Sequence, residues 1–343
     1  MTRKTAVLIC PGRGTYNKSE LGTLARTHAD HPSIAEWDEM RREMGQETLT
    51  SLDGAARFSA AQHTTGDNAS ALIYACSLLD AQLAISSHDI VAVTGNSLGW
   101  YIALAVGGAA DARAGMHIVN TMGTLMHQHG PGGQILLPFV DDNWQPIPGE
   151  EQHLLGLIAQ INSKPNHTLS LSIHLGGMLV VAGNDAGLNT FETTVSDRSS
   201  RKPLRLPNHA AFHTEMMQQV AAIGRDSLPN ALLNTPKIAL IDGRGTVWHP
   251  HASDTVALYD YTFDHQITRT YDFTKAIQSA ARNFAPDRFV ITGPGATLGG
   301  AVAQALIAIK WQGIDSKEAF LARQTSDPIL ISMGREDQRA LAL

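Results

Sequence analysis

The chain has 343 residues, 43% hydrophobic and 17% charged, which supplies one large core or two domains and excludes a disordered tail protein. Lys+Arg 26 against Asp+Glu 32 leaves a formal charge of −6, so no global basic field draws the chain to nucleic acid or anionic lipid. The cations are 18 Arg and 8 Lys, so a cationic site would be Arg-built and suited to carboxylate or phosphate. Two cysteines, Cys10 and Cys76, are no disulfide framework and suit a reducing cytosol. The apolar stretch Ala6 to Cys10 is too short for a signal-peptide core, and no eighteen consecutive residues are apolar. A soluble cytoplasmic protein with no nucleic-acid or membrane partner is the expectation.

In chain order, short apolar runs closed by glycine turns alternate with helical patterns, as in an α/β fold. A strand at Thr5 to Cys10 ends at Pro11-Gly12, and a polar helical stretch follows from about Ser19 to Met44. Ala69 to Ile85 is apolar on nearly every face, as a buried helix would be. A strand at Ile90 to Thr94 leads into Gly95-Asn96-Ser97-Leu98-Gly99 and a helix to about Val106. From Gly133 the order becomes strand (Gln134–Val140), helix (Glu150–Ile161), strand (Leu169–His174), Gly176-Gly177 turn, strand (Met178–Ala182), helix (Ala186–Val195) and strand (Pro203–Pro207). That βαββαβ order predicts a ferredoxin-like subdomain at 131–207. It interrupts a large α/β domain of residues 1–130 and 208–343, which resumes with strands near Ile238–Ile241 and Arg288–Ile291. In the tail, Lys317–Arg323 reads as helical and Ile329–Ser332 as a short apolar run of unassigned role.

G-x-S-x-G stands directly between a strand and a helix, so its glycines permit the sharp turn that lifts the Ser97 hydroxyl clear of the backbone. The helix that follows aims amide N–H groups and its positive dipole end at the same spot. Ser97 could then be acylated, with the Leu98 N–H stabilising the oxyanion; the same pentapeptide also serves as a plain strand–helix turn. A serine nucleophile needs a base. His127/His129 and His249/His251 sit two apart, the spacing of one strand face, but lack a third ligand, so no metal is expected. His213 lies where the chain returns to the large domain, and periodicity alone does not rank it first among fifteen histidines.

Five landmarks decide between these readings: PGRGTY at 11–16, GNSLGWYIAL at 95–104, VVAGND at 180–185, AAFHTEMM at 210–217 and ITGPGATLGG at 291–300. Their order resembles that of the malonyl-CoA:acyl-carrier-protein transacylase family, which reads approximately PGQGSQ, GHSLGEYSAL, VAGxxxA, HAFH or xPSH, and ExGPGxVL. The resemblance spans residues 5 to about 308. It implies an α/β-hydrolase-like large domain with the ferredoxin-like insertion, Ser97 as nucleophile and His213 as general base. It further implies a base oriented by a backbone carbonyl, here from Asp242-Gly243, and a second oxyanion N–H from Arg13 in the slot usually held by Gln. The implied reaction is ping-pong: Ser97 takes an acyl group from a CoA thioester and passes it to the phosphopantetheine thiol of an acyl carrier protein, with no permanently bound cofactor.

Departures from the family pattern bear on the acyl group. The family's carboxylate-binding arginine, twenty-five residues after the serine, falls on Met122, while Gly123 and Met126 stay in register. A buried carboxylate without its bidentate partner costs about 3–5 kcal/mol, and Met122 offers an apolar wall instead. Ala210 replaces a histidine, Asn96 and Trp100 replace the elbow's usual His and Glu, and Phe212 is retained. Met122, Ala210, Asn96, Trp100 and Phe212 together predict an acyl pocket for a small or medium uncharged group such as acetyl or propionyl. Malonyl stays open if Arg13 or Arg205 reaches its carboxylate. Two alternatives share or discard this chemistry: a hydrolase that strips acyl groups from carrier proteins, and a non-catalytic binding protein. An ordinary α/β-hydrolase esterase fits worse, since few strands precede Ser97 and the insertion is unexplained. RKPLR at 201–205 reads as a solvated strand edge that could help dock an acidic carrier protein.

Overall fold

A computed structural model describes residues 3–196 and 202–343; Arg201 of the RKPLR run lies outside the described residues. The strands are β1 (Thr5–Cys10), β2 (Asp89–Gly95), β3 (Gly133–Pro138), β4 (Leu169–Leu175), β5 (Met178–Gly183) and β6 (Leu204–Leu206), then β7 (Ala239–Ile241), β8 (Val247–Trp248), β9 (Tyr271–Asp272), β10 (Arg288–Ile291) and β11 (Leu330–Ser332). They form two sheets, ordered β11-β10-β1-β2-β7-β8 and β6-β3-β5-β4-β9.

The first sheet is parallel except for β8, which runs against β7. Its central strand β1 is an apolar run buried from Ala6 to Cys10, as a strand covered by helices on both faces must be. The chain leaves β1 toward β2 on one side and receives β10 on the other, so the loops after these three strands open one crevice at their carboxyl ends, the usual place for a ligand. Ser97 sits in the loop after β2. The tail's apolar run is β11, paired to β10 through Phe289↔Leu330 and Ile291↔Ser332.

In the second sheet, β6-β3-β5-β4 is the ferredoxin-like strand order, with every pair antiparallel. A fifth strand not expected from sequence, β9, joins β4 in parallel from far along the chain. Strand alternation gives the sheet two distinct faces. Ile135, Leu137, Leu179 and Val181 pack into a separate core under the helices Glu150–Asn162 and Asp185–Ser196. Leu136, Met178 and Val180 face the crevice. On β4 the register shifts between Leu171 and Ile173. This bulge reverses the alternation, so Leu171 packs with the helix-side core while Ile173 and Leu175 line the crevice.

Two expectations need correction, and the expected buried helix is present. The stretch from Ser19 to Met44 is not one helix: it breaks into Thr23–His28 and Pro32–Glu43, because Pro32 has no N–H and fits only a helix start. His127 and His129 lie at the end of the helix Ala112–His129, not on a strand, and His249 and His251 lie in a loop. The helix Gly66–Ser87 is long and apolar enough to cross a membrane, yet 78% of its most apolar window is buried inside the protein; it is the core helix under the first sheet.

Candidate active site

The elbow is built by close backbone approach. A Cβ on Gly95 would strike the backbone of Gly99, and one on Gly99 would strike the carbonyl of Cys10, so both positions require glycine. Ser97 takes φ 55° and ψ −111°, a conformation that non-glycine residues hold only when their surroundings enforce it. The helix Leu98–Val106 starts immediately after it.

His213 reaches the hydroxyl from the other side of the crevice. Its Nε2 lies 2.8 Å from Ser97 Oγ, and its Nδ1 lies 2.5 Å from the Gln266 carbonyl. The carbonyl can only accept, so Nδ1 carries the proton and Nε2 presents a lone pair to the serine hydroxyl. Burial lowers the His213 pKa to about 4 against the opposing pull of the Gln266 bond, so the ring is neutral at pH 7 and free to take a proton.

Gln266 thus holds the position expected for Asp242-Gly243. Both of those carbonyls are already used: Asp242 O accepts from Gly245 N–H and Gly243 O from Asp272 N–H. The Asp242 carboxylate is engaged by Arg244 and Trp248 Nε1. Gln266 follows a π-helical turn, Tyr261–His265, of the kind that recurs at functional sites. Its side chain adds two ties, donating to Ser97 O at 3.2 Å and accepting from Tyr101 Oη at 3.0 Å. No motif or periodicity in the surrounding YTFDHQIT sequence marks this residue.

Two cavities meet at Ser97. The smaller, of about 20 Å³, is bounded by Ser70, Leu98, Tyr101, Gly123, Met126 and Phe212, with Arg13, His213, Gln266 and Ile267. That is about the space of one water molecule or one methyl group. Its size follows from a helix crossing in which a Cβ on Gly66 would strike Gly123 O and a Cβ on Gly123 would meet Ser70 Oγ at 2.9 Å. The larger, about 420 Å³, is a cleft between the Gly12–Asn17 loop and the open face of the second sheet. The sheet side of its wall is aliphatic except for Gln134, and the opposite side and rim carry polar residues, among them Arg13, Asn17, Thr64, Asn96, Thr297 and His209.

Of the expected pocket residues, Phe212 lines both cavities and Asn96 the cleft. Met122, Ala210 and Trp100 line neither. On a helix that turns about 100° per residue, Gly123 and Met126 face the pocket, while Met122 is fully buried with its sulfur against Gly224. Trp100 is also fully buried; it donates to Thr262 Oγ1 and meets Tyr261 edge-on. Ala210 packs against Gly130. Arg205 pairs with Asn189, Asp185 and Glu192, on the face of β6 opposite Leu204 and Leu206, and so points away from the cleft.

Of the two arginines that sequence offers to an acyl carboxylate, Arg13 lines both cavities at Ser97, whereas Arg205 does not. The Arg13 guanidinium lies 5.5 Å over the Phe212 ring, and its Nη2 donates to Thr64 O and Asn208 O, both at 2.9 Å. Its Nε has no partner. Burial pulls its pKa down to about 10, partly offset by Asp67.

No protein-family model matches the chain, and no curated protein does. Solved structures do. A malonyl-CoA:acyl carrier protein transacylase from Xanthomonas oryzae pv. oryzae is 18% identical with a TM-score of 0.77, covering 100% of this chain and 98% of that one. An acyl-carrier-protein S-malonyltransferase from Burkholderia pseudomallei is 19% identical with a TM-score of 0.75, covering 99% and 100%. A malonyl-transacylase in complex with its type II polyketide synthase acyl carrier protein is 15% identical with a TM-score of 0.73, covering 88% and 93%. The chain has the fold of these transacylases along its whole length, tail included.

Proposed function

We propose that this protein transfers a small, uncharged acyl group, acetyl or propionyl in size, from a CoA thioester to the phosphopantetheine thiol of an acyl carrier protein. The observation that carries the reading is a serine with a neutral imidazole at 2.8 Å, standing where a methyl-sized cavity meets a long cleft with an apolar sheet face. A thioester has two arms of unequal length, and this site offers two spaces of matching inequality. The small cavity takes the acyl group and the cleft takes the thiol arm. The cleft runs between the proposed large domain (1–130 and 208–343) and the ferredoxin-like subdomain (131–207).

In the first step Ser97 Oγ attacks the thioester carbonyl while His213 Nε2 takes the hydroxyl proton. The main-chain N–H groups of Leu98 and Arg13 receive the oxyanion. Collapse expels the CoA thiolate, which takes the proton from His213. In the second step the carrier thiol gives its proton to His213 and attacks the ester, and Ser97 leaves with that proton. Gln266 O holds the imidazole in the required tautomer throughout. Propionyl needs slightly more room than a methyl, which the unbranched Met126 side chain can yield; a carboxylate would in addition set a charge in a small cavity whose one cationic lining residue, Arg13, already spends Nη2 on Thr64 O and Asn208 O.

The test is intact mass after mixing with acetyl-, propionyl-, malonyl- and hexanoyl-CoA. We expect acetyl and propionyl adducts on the wild type, none on Ser97→Ala, and discharge on adding holo carrier protein. Discharge equally fast without carrier would mark a hydrolase, and a dominant malonyl adduct would overturn the uncharged assignment. Pocket size makes a second prediction. Met126→Ala removes a wall of the small cavity, so the ratio of hexanoyl to acetyl transfer should rise about tenfold or more, measured as relative kcat/KM. The same ratio in Met122→Ala should stay near the wild-type value.

A further inference from the structure

A hydrogen-bonded relay runs from the cleft to the loop that carries His213. His209 Nδ1 lies 2.7 Å from Gln134 Oε1, Gln134 Nε2 donates to Ser172 Oγ at 2.7 Å, and Ser172 Oγ donates to Phe212 O at 2.7 Å. Every direction is forced from the far end. A backbone carbonyl only accepts, so the Ser172 hydroxyl is spent as a donor and must accept from the amide of Gln134. Gln134 therefore turns its oxygen toward His209. Nδ1 of His209 carries the proton, and Nε2 is left as a lone pair.

That lone pair makes no hydrogen bond among the described residues, and His209 forms part of the cleft wall. Gln134 and Ser172 are buried, so the relay cannot be rearranged by solvent. Ser172 occupies its place because it is the extra residue of the β4 bulge. Burial, reinforced by Arg13, pulls the His209 pKa down to about 3, so the ring is neutral throughout the physiological range. An oriented, uncharged acceptor beside the apolar sheet face of Leu136, Ile173 and Val180, in a cleft whose other side carries Arg13, Thr64 and Asn96, has no use for a plain hydrocarbon. It selects a ligand that carries an N–H donor between apolar segments.

Resting on the acyl-transfer reading, we propose that His209 is a specificity-determining residue whose Nε2 accepts a hydrogen bond from an amide N–H of the thiol arm. The other end of the relay holds the Phe212 carbonyl beside the base, so one network positions both the arm contact and the His213 loop.

The test compares two acetyl thioesters, that of N-acetylcysteamine and that of its ketone analogue in which the amide N–H is a methylene. The wild type should prefer the amide by about tenfold in kcat/KM. His209→Leu should bring that ratio to near one. Gln134→Leu, which keeps the imidazole but releases its tautomer, should lower it as well. A ratio near one in the wild type, or one unchanged in His209→Leu, overturns the assignment alone. Acylation of Ser97 by neither thioester overturns the acyl-transfer reading and this assignment with it. His209→Leu should also slow both acylation by acetyl-CoA and discharge to holo carrier protein, because the arm is common to both; slowing of the CoA step alone would place the contact outside the arm and overturn the proposal.

Discussion

Replacing His213 with alanine is expected to slow acylation of Ser97 by about 10⁴-fold, the upper range for removing a positioned general base. The serine hydroxyl would keep its elbow and its oxyanion donors but lose the only imidazole at hydrogen-bond distance from it among the described residues. The pH dependence separates this loss from simple misfolding. The neutral ring is the active form, and burial holds the His213 pKa at about 4. The kcat/KM of the wild type should therefore rise through a pH of about 4 and stay level through neutrality, and the alanine variant should lack that limb. Stability follows the same group with a definite sign. The folded pKa is depressed below the ordinary imidazole value of 6.5, so between the two values the unfolded chain binds more protons. This contribution to stability is complete above about pH 6.5 and is lost as pH falls toward about 4. Brief pH-jump assays keep the two effects apart, and an inflection of kcat/KM near 6.5 would contradict the buried-base account.

The second large effect is expected far from the chemistry. Asp80 is buried in the core helix Gly66–Ser87 and has three partners: Arg339 at 2.5 Å, His28 at 2.8 Å and the Gly293 N–H at 2.8 Å. Arg339 comes from the tail that follows β11, where Gly334 packs against the Gly295 carbonyl. Gly295 in turn sits so close to Thr15 that a Cβ on it would lie 2.5 Å from Thr15 O, and Thr15 Oγ1 donates to Gly12 O. The tail is therefore clamped to the core and abuts the loop beside the proposed oxyanion site. Asp80→Ala leaves the half-buried Arg339 guanidinium with only Met333 O as acceptor and takes the carboxylate from the Gly293 N–H, so unfolding free energy should fall by about 3 kcal/mol. A urea midpoint would show it; Arg339→Leu should lose less, since His28 and Gly293 still engage the carboxylate. A midpoint for Asp80→Ala equal to the wild type's would refute the clamp.

Local order in the chain carried the strands, the βαββαβ insertion and the glycine-flanked serine, because each depends on periodicity, turn residues or close backbone approach within a few positions. The elbow around Ser97 is such a signal, one that a plain strand–helix turn shares. His213 carries no such signal: fifteen histidines compete, and it is singled out by the resemblance, through AAFHTEMM at 210–217 in its place among the five ordered landmarks. What faces a pocket is a different kind of question. Met122 and Met126 are equally apolar in sequence and only about 40° apart on one helix, yet Met126 lines the small cavity while Met122 is buried against Gly224. Gln266 as the carbonyl on the base, the Arg13 side chain beside Phe212, and the lone pair of His209 all arise from segments dozens of residues apart meeting across the crevice. The sequence by itself determined which groups could do chemistry and in what order they occur. Only the tertiary structure decided which of them share a space, because that depends on one helix crossing at Gly66 and Gly123, one bulge in β4 and one π-helical turn, none of which has a periodic signature.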